Sequence, residues 1–156
     1  MRIISGSHKG RRINAPRGLP VRPTTDMAKE ALFNILNNNY YFEDLKVLDL
    51  FAGTGNISFE FASRGSSEII AVDKDHRCIK FIAKMADELD FKISAIKNDV
   101  LKFLEKVNLK FDIIFVDPPY SFTADDCSKI TSIILQRQLL NEDGILIIEH
   151  SKHTDL

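Results

Sequence analysis

Two stretches of this sequence hold residue types that can do chemistry, at the spacing that chemistry needs. The first is Asp117-Pro118-Pro119-Tyr120. Consecutive prolines hold an extended backbone and keep carbonyls out of helical hydrogen bonding. Such a loop presents a carboxylate, carbonyl acceptors and an aromatic face close together. That set fits a planar ring bearing an NH2 group: Asp117 and the Pro118 carbonyl accept from the amine, and Tyr120 stacks on the ring, a contact worth roughly 1–3 kcal/mol per base. An ordinary proline turn with a core-packed tyrosine would use the same residues. The second stretch is Val47-Leu48-Asp49-Leu50-Phe51-Ala52-Gly53-Thr54-Gly55-Asn56. It follows an apolar run and opens a helical pattern, the setting of a nucleotide-binding turn. Gly53 and Gly55 permit positive φ and a close approach of ligand to backbone. The helix start that follows favours a carboxylate or phosphate. The third glycine of the dinucleotide fingerprint is missing, and Asp49 sits just before the loop, which suits a ligand with a cationic amino group and no pyrophosphate. Phe51 and Thr54 are carried on the same turn.

Two further carboxylates fall at strand ends. Asp73 lies 18 positions after Gly55, where a carboxylate grips a ribose diol; it also suits capping of the helix that follows. Asp99, in Asn98-Asp99-Val100, is placed to accept from an adenine amine, with the Val100 N–H facing a ring nitrogen; it equally suits a helix N-cap.

These loops need a frame, and the hydrophobic pattern provides one. Apolar strand-like runs at Lys46–Phe51, Glu68–Val72, Ile93–Lys97, Phe111–Val116 and Gly144–Glu149 alternate with helical patterns at about Asn56–Arg64, Ile79–Leu89, Leu101–Val107 and Ala124–Gln136. Phe111–Val116 is nearly continuous in apolar residues, as a central parallel strand covered on both faces should be. Alternation of this kind predicts an α/β fold, a doubly wound and mostly parallel sheet. Ahead of it, Ala28, Ala31, Leu32, Ile35 and Leu36 predict an amphipathic helix begun by Thr25 or Asp26, with those five facing inward.

The chain divides at residue 25. Residues 1–25 hold Arg2, Lys9, Arg11, Arg12, Arg17 and Arg22 and no acidic residue, a charge of +6, so the remainder carries −7. Three of the five prolines also fall there, which predicts a turn-rich basic arm with a short strand at Arg2–Ser5. Residues 26–156 read as one globular domain. A basic arm on an acidic domain fits a polyanion partner, or a solvated tail. No apolar run approaches the roughly 18 residues of a membrane helix, and no apolar region follows the basic start as a signal peptide requires. The only cysteines, Cys78 and Cys127, are far apart and belong to no Cys/His cluster, which argues against a metal site and a disulfide and for buried thiols in a cytoplasmic protein.

The glycine turn and the Asp117–Tyr120 loop together resemble the class I methyltransferases that act on exocyclic amines. Adding Arg2–Gly6, Lys9-Gly10-Arg11, Arg22-Pro23-Thr24-Thr25-Asp26, Ala31–Asn34 and Glu149-His150-Ser151, the chain resembles the bacterial 16S rRNA (guanine-N2)-methyltransferase family of the RsmD type over almost its whole length. The resemblance implies a Rossmann-like fold and S-adenosylmethionine as methyl donor, with 16S rRNA or a small ribosomal subunit particle as partner and no membrane or metal. It implies catalytic roles for Asp117, Pro118, Pro119 and Tyr120, and cofactor contacts from Asp49, Phe51, Gly53, Thr54, Gly55, Asp73, Asp99 and Val100. Arg22 and Thr24 would sit beside the cofactor or base, and Lys9, Arg11, Arg12 and Arg17 on RNA phosphates. Adenine-N6 methylation of DNA and a catalytically idle RNA-binding module are the alternatives.

Members of that family continue past the fifth strand into a β-hairpin, and this chain stops at Leu156, as a shortened form of a longer protein would. The apolar Ile145–Ile148 strand would then be an open edge, which invites pairing with another chain. The expected outcome in light scattering is self-association that an appended hairpin reduces. A monomer with a high melting temperature would contradict it.

Overall fold

The computed structural model describes residues 1–19 and 25–150. Five strands form one sheet: β1 (Lys46–Leu50), β2 (Glu68–Asp73), β3 (Ile93–Lys97), β4 (Phe111–Val116) and β5 (Leu140–Ile148). All neighbours run parallel, in the order β3-β2-β1-β4-β5. Five α-helices connect them in chain order: α1 (Asp26–Asn37) before the sheet, then α2 (Asn56–Ser63), α3 (His76–Glu88), α4 (Val100–Lys106) and α5 (Ala124–Gln136). This is the doubly wound arrangement that the alternating pattern predicts, and no described helix is long and apolar enough to cross a membrane.

Strand alternation explains the two-sided core. Leu48 and Leu50 of β1 and Ile114 and Val116 of β4 point to the α4–α5 side, against Val100, Leu104, Ile130 and Ile134. Val47, Ile113 and Phe115 point to the other side, against Phe33 and Leu36 of α1 and Ile57 and Phe61 of α2. Both faces are covered, so the central strands are mostly apolar, with the buried Asp49 of β1 as the exception that the cavity uses.

Three expectations shift. β5 begins at Leu140 and passes an irregularity in its register with β4, with Asp143 at φ 64°. Among the described residues no strand pairs with its outer side. In α1 the buried residues are Lys29, Phe33 and Leu36, while Ala28, Ala31 and Ile35 are exposed. The helix has turned by one residue, about 100° at 3.6 residues per turn. The Phe33 ring offers far more apolar area than two alanine methyls, and Lys29 can go in because it finds a partner there. Thr25 caps the helix by accepting from the Ala28 N–H.

The third shift is in the arm. In place of a strand at Arg2–Ser5, Arg2 and Arg12 form a single antiparallel bridge, closing a loop whose Ile3 and Ile13 are buried against Phe59, Phe81 and Ile82. Its anchor is Glu60 of α2, a carboxylate with 0% exposure. Glu60 accepts from the backbone N–H groups of Ile4 and Ser5 at 2.9 and 3.1 Å, and pairs with Lys29 at 3.3 Å and Arg64 at 2.8 Å. The Arg64 guanidinium in turn lies 4.7 Å from the centre of the Phe33 ring. Ser63 completes the seat, taking the Ser7 N–H on its carbonyl, giving its hydroxyl to Ser5 O and receiving the His8 N–H.

Gly6 and Gly10 separate seating from backbone strain. Both have positive φ, but a Cβ on Gly6 would meet the Ser63 carbonyl at 1.9 Å, whereas one on Gly10 meets nothing within 4 Å. Gly10→Ala should cost the left-handed penalty alone, about 1–2 kcal/mol. Gly6→Ala should cost clearly more in urea denaturation. Equal losses would show that the arm is not held on α2.

Candidate active site

The strand order reverses between β1 and β4. Connections leave such a pair in opposite directions, so a crevice opens at their carboxyl ends. A cavity of about 840 Å³ lies there. Asp49, Phe51, Gly53 and Thr54 line it from β1 and its turn. Asp73, Asp99 and Val100 line it from the ends of β2 and β3. Asp117, Pro118 and Pro119 close it from β4.

The β1–α2 turn passes through the left-handed region at Phe51 (φ 58°), Gly53 (φ 58°) and Gly55 (φ 87°). Gly55 is the N-cap of α2 and is buried, and a Cβ there would crowd the Phe59 and Ile82 side chains at 3.0 Å. Asp73 holds this turn from the next strand, accepting from the Gly53 N–H and the Asp75 N–H, both at 2.9 Å. The cap of α3 is Asp75, which accepts from Arg77 and Cys78, so Asp73 does not serve as that cap. Asp99 does cap α4, accepting from the Lys102 N–H, and lines the cavity as well.

Asp49 differs from the other carboxylates. It is buried beneath the turn and accepts from the Ser58 hydroxyl at 2.7 Å. Burial pushes its carboxyl up to about 7; the Ser58 hydrogen bond pulls back, and the charges of Asp117 and Asp73 add to the rise. Cys78 is buried too, and its thiol is pushed up to about 12 by burial, which makes it a poor nucleophile.

Several residues fall elsewhere. Tyr120 is 75% exposed and does not line the cavity. Phe122 does line it, brought back by a turn in which its N–H donates to Pro119 O at 3.0 Å, and it meets the Phe51 ring edge-on at 4.9 Å. The i to i+3 spacing of that turn was the available signal for Phe122. Asn56, Lys74 and Asp75 also line the cavity and were not singled out in the sequence. Lys9, Arg11, Arg12 and Arg17 are exposed on the arm, away from the lining. Arg22 and Thr24 lie outside the described residues.

Electrostatically the cavity is one-sided. Five aspartates (Asp49, Asp73, Asp75, Asp99 and Asp117) and one lysine, Lys74, line it among the described residues. It suits a cationic ligand and opposes one with a pyrophosphate.

Comparison with known proteins points the same way. The family described as conserved hypothetical protein 95 matches residues 1–156. The chain is 37% identical over 161 residues to YlbH of Bacillus subtilis, provisionally named an rRNA methyltransferase, spanning 100% of this chain and 85% of that one. It is 29% identical over 161 residues to the ribosomal RNA small subunit methyltransferase D of Haemophilus influenzae, spanning 100% of this chain and 81% of that one. A solved structure of yhhF from Escherichia coli, provisionally titled a methyltransferase, matches with a TM-score of 0.85 at 25% identity over 96% of this chain and 80% of that one.

The raised value of Asp49 has a signed consequence. Folding disfavours its ionised form, so its ionisation costs stability progressively from the ordinary carboxylate range up to about 7. Asp49→Asn should therefore stabilise the unliganded protein at pH 8, and the gain should shrink as pH falls through 7 towards 4. Binding of a cationic ligand should weaken over the same fall, as Asp49 takes a proton. A pH-independent stability difference in thermal melts would contradict both.

Proposed function

Because the chain belongs to the conserved hypothetical protein 95 family, we propose that it transfers a methyl group from S-adenosylmethionine to the exocyclic N2 amine of a guanine in small-subunit ribosomal RNA. The single observation that carries this reading is the acidic cavity joining the glycine turn to the Asp117–Pro119 loop. The names of the Bacillus and Haemophilus relatives support ribosomal RNA as the substrate.

The donor set fits the cofactor. Its sulfonium and ammonium are cations, and the lining carries five carboxylates. Asp49 and the start of α2 would hold the amino-acid tail, Asp73 the ribose, and Asp99 with Val100 the adenine. When bound, the cofactor would supply an electrophilic methyl group on its sulfonium. The protein's part is positioning and charge.

Asp117 acts on the other reactant. A guanine amine shares its lone pair with the ring and is a poor nucleophile. Hydrogen bonds to the Asp117 carboxylate and the Pro118 carbonyl draw the amine towards tetrahedral geometry and aim the lone pair. Charge grows on the amine nitrogen as it attacks, and Asp117, half-buried at the mouth, stabilises it. The base must leave its stack to arrive there. Tyr120 stands at the rim, 75% exposed, where it can stack on an incoming base. Lys9, Arg11, Arg12 and Arg17, all exposed, contact RNA phosphates.

Labelled methyl transfer to total rRNA, assembled small subunits and genomic DNA tests the reading. RNA or subunits should be labelled and DNA should not. Asp117→Ala should retain cofactor affinity and lose turnover by roughly 10²-fold or more. Tyr120→Phe should be mild and Tyr120→Ala should weaken base binding. A variant with Lys9, Arg11 and Arg12 changed to glutamine should bind RNA with a shallower salt dependence, by about 0.7–0.9 in slope per lost phosphate contact. Deleting the arm is a poorer test, because it removes the buried Ile3 and Ile13.

A further inference from the structure

Lys29 is 1% exposed, and its ammonium has three partners. It pairs with the Glu60 carboxylate at 3.3 Å, and donates to the Arg2 carbonyl at 2.6 Å and to Oδ1 of Asn56 at 2.8 Å. An ammonium has three protons and no acceptor, so these partners use its donors, and the Asn56 atom that faces it has to be the amide oxygen. Burial lowers the Lys29 ammonium from its ordinary value while Glu60 raises it.

Asn56 is the first residue of α2 and lines the cavity. With its oxygen held by Lys29, the end it offers a ligand is the NH2, a donor only. A donor at that place answers a specific difficulty. The cofactor's tail carries a carboxylate as well as an ammonium, and the described lining offers it five carboxylates and one lysine. The sheet order β3-β2-β1-β4 sets the subsites of the preceding reading in line: adenine, ribose, tail, base. Asn56 opens α2 at the end of the turn that leaves β1, the place this order gives the tail.

We propose that Lys29 is a positioning residue: it orients the Asn56 amide as the donor to the tail carboxylate and, through the Arg2 carbonyl, makes that orientation depend on the seating of the N-terminal arm. The proposal rests on the S-adenosylmethionine reading above. It assigns a role in ligand binding to a buried lysine that is not among the residues lining this cavity.

Calorimetry with two probes tests it: S-adenosylhomocysteine, and 5′-methylthioadenosine, which keeps the adenine and ribose and lacks the amino-acid tail. Asn56→Ala should weaken S-adenosylhomocysteine by about tenfold, the loss of one hydrogen bond to a charged group, with methylthioadenosine essentially unchanged. Lys29→Met should show the same selective loss, and the double variant no further loss, since one residue acts through the other. Lys29→Met leaves Glu60 with one partner fewer and can fail to fold, so Asn56→Asp is the safeguard. It keeps an oxygen for Lys29 and a favourable charge at the helix start, so its melting temperature should hold or rise while S-adenosylhomocysteine binding falls and methylthioadenosine binding stays. A purely structural lysine would leave the two probes equally affected in Lys29→Met, whatever Asn56→Ala does. Additive losses, equal losses on both probes, or unchanged S-adenosylhomocysteine affinity in Asn56→Ala would overturn the proposal while leaving the cofactor reading intact. A wild-type protein that binds neither probe would overturn that reading and this proposal with it.

Discussion

The Glu60 carboxylate is the point on which the rest of the structure depends. It is sealed from water, so its charge has to be met completely. Lys29 from α1, Arg64 from the end of α2 and two backbone N–H groups of the arm meet it. Three parts of the chain, α1, α2 and the arm, are thereby held to one oxygen pair. Removing one partner of such a buried pair leaves an uncompensated charge, which is strongly destabilising. The cluster fixes which face of α1 turns inward, where the arm lies, and how the first turn of α2 stands beneath the cavity.

The cavity shows the opposite electrostatic strategy. Glu60 is compensated within the protein, while Asp49 is buried with a hydroxyl for a partner and with Asp73 and Asp117 as like charges nearby. Its carboxyl is pushed up to about 7 as a result. On the proposed reading, a cation in the cavity favours the ionised form of Asp49, so ligand binding and its ionisation are coupled. Asp73 does a quieter task, bracing the Gly53 backbone from the neighbouring strand, so that a turn with three left-handed residues holds one shape before any ligand arrives.

Local rules made much of this legible. The alternation of apolar runs gave the sheet and its helices because a strand covered on both faces has to be apolar. The glycine turn and the proline loop could be located because positive φ and fixed φ are restrictions on single residues. Asp99 was legible as the cap of α4. The face of α1 was misjudged, because a lysine inside a helix stripe counts as polar until its partner is known, and Glu60 is 31 positions away. The arm's expected strand became a short pairing of residues 1–3 with 10–13, held by backbone hydrogen bonds and by the burial of Ile3 and Ile13.

What the sequence determined by itself was the order of elements and the identity of the two loops, since those follow from periodicity and backbone restrictions that act within a few residues. Only the tertiary structure decided that Phe122 rather than Tyr120 walls the cavity, that Asp75 rather than Asp73 caps α3, and that Lys29 reaches Asn56. Each of these depends on where a side chain points once distant segments are packed, and in a close-packed interior that direction is set by the neighbours rather than by the residue.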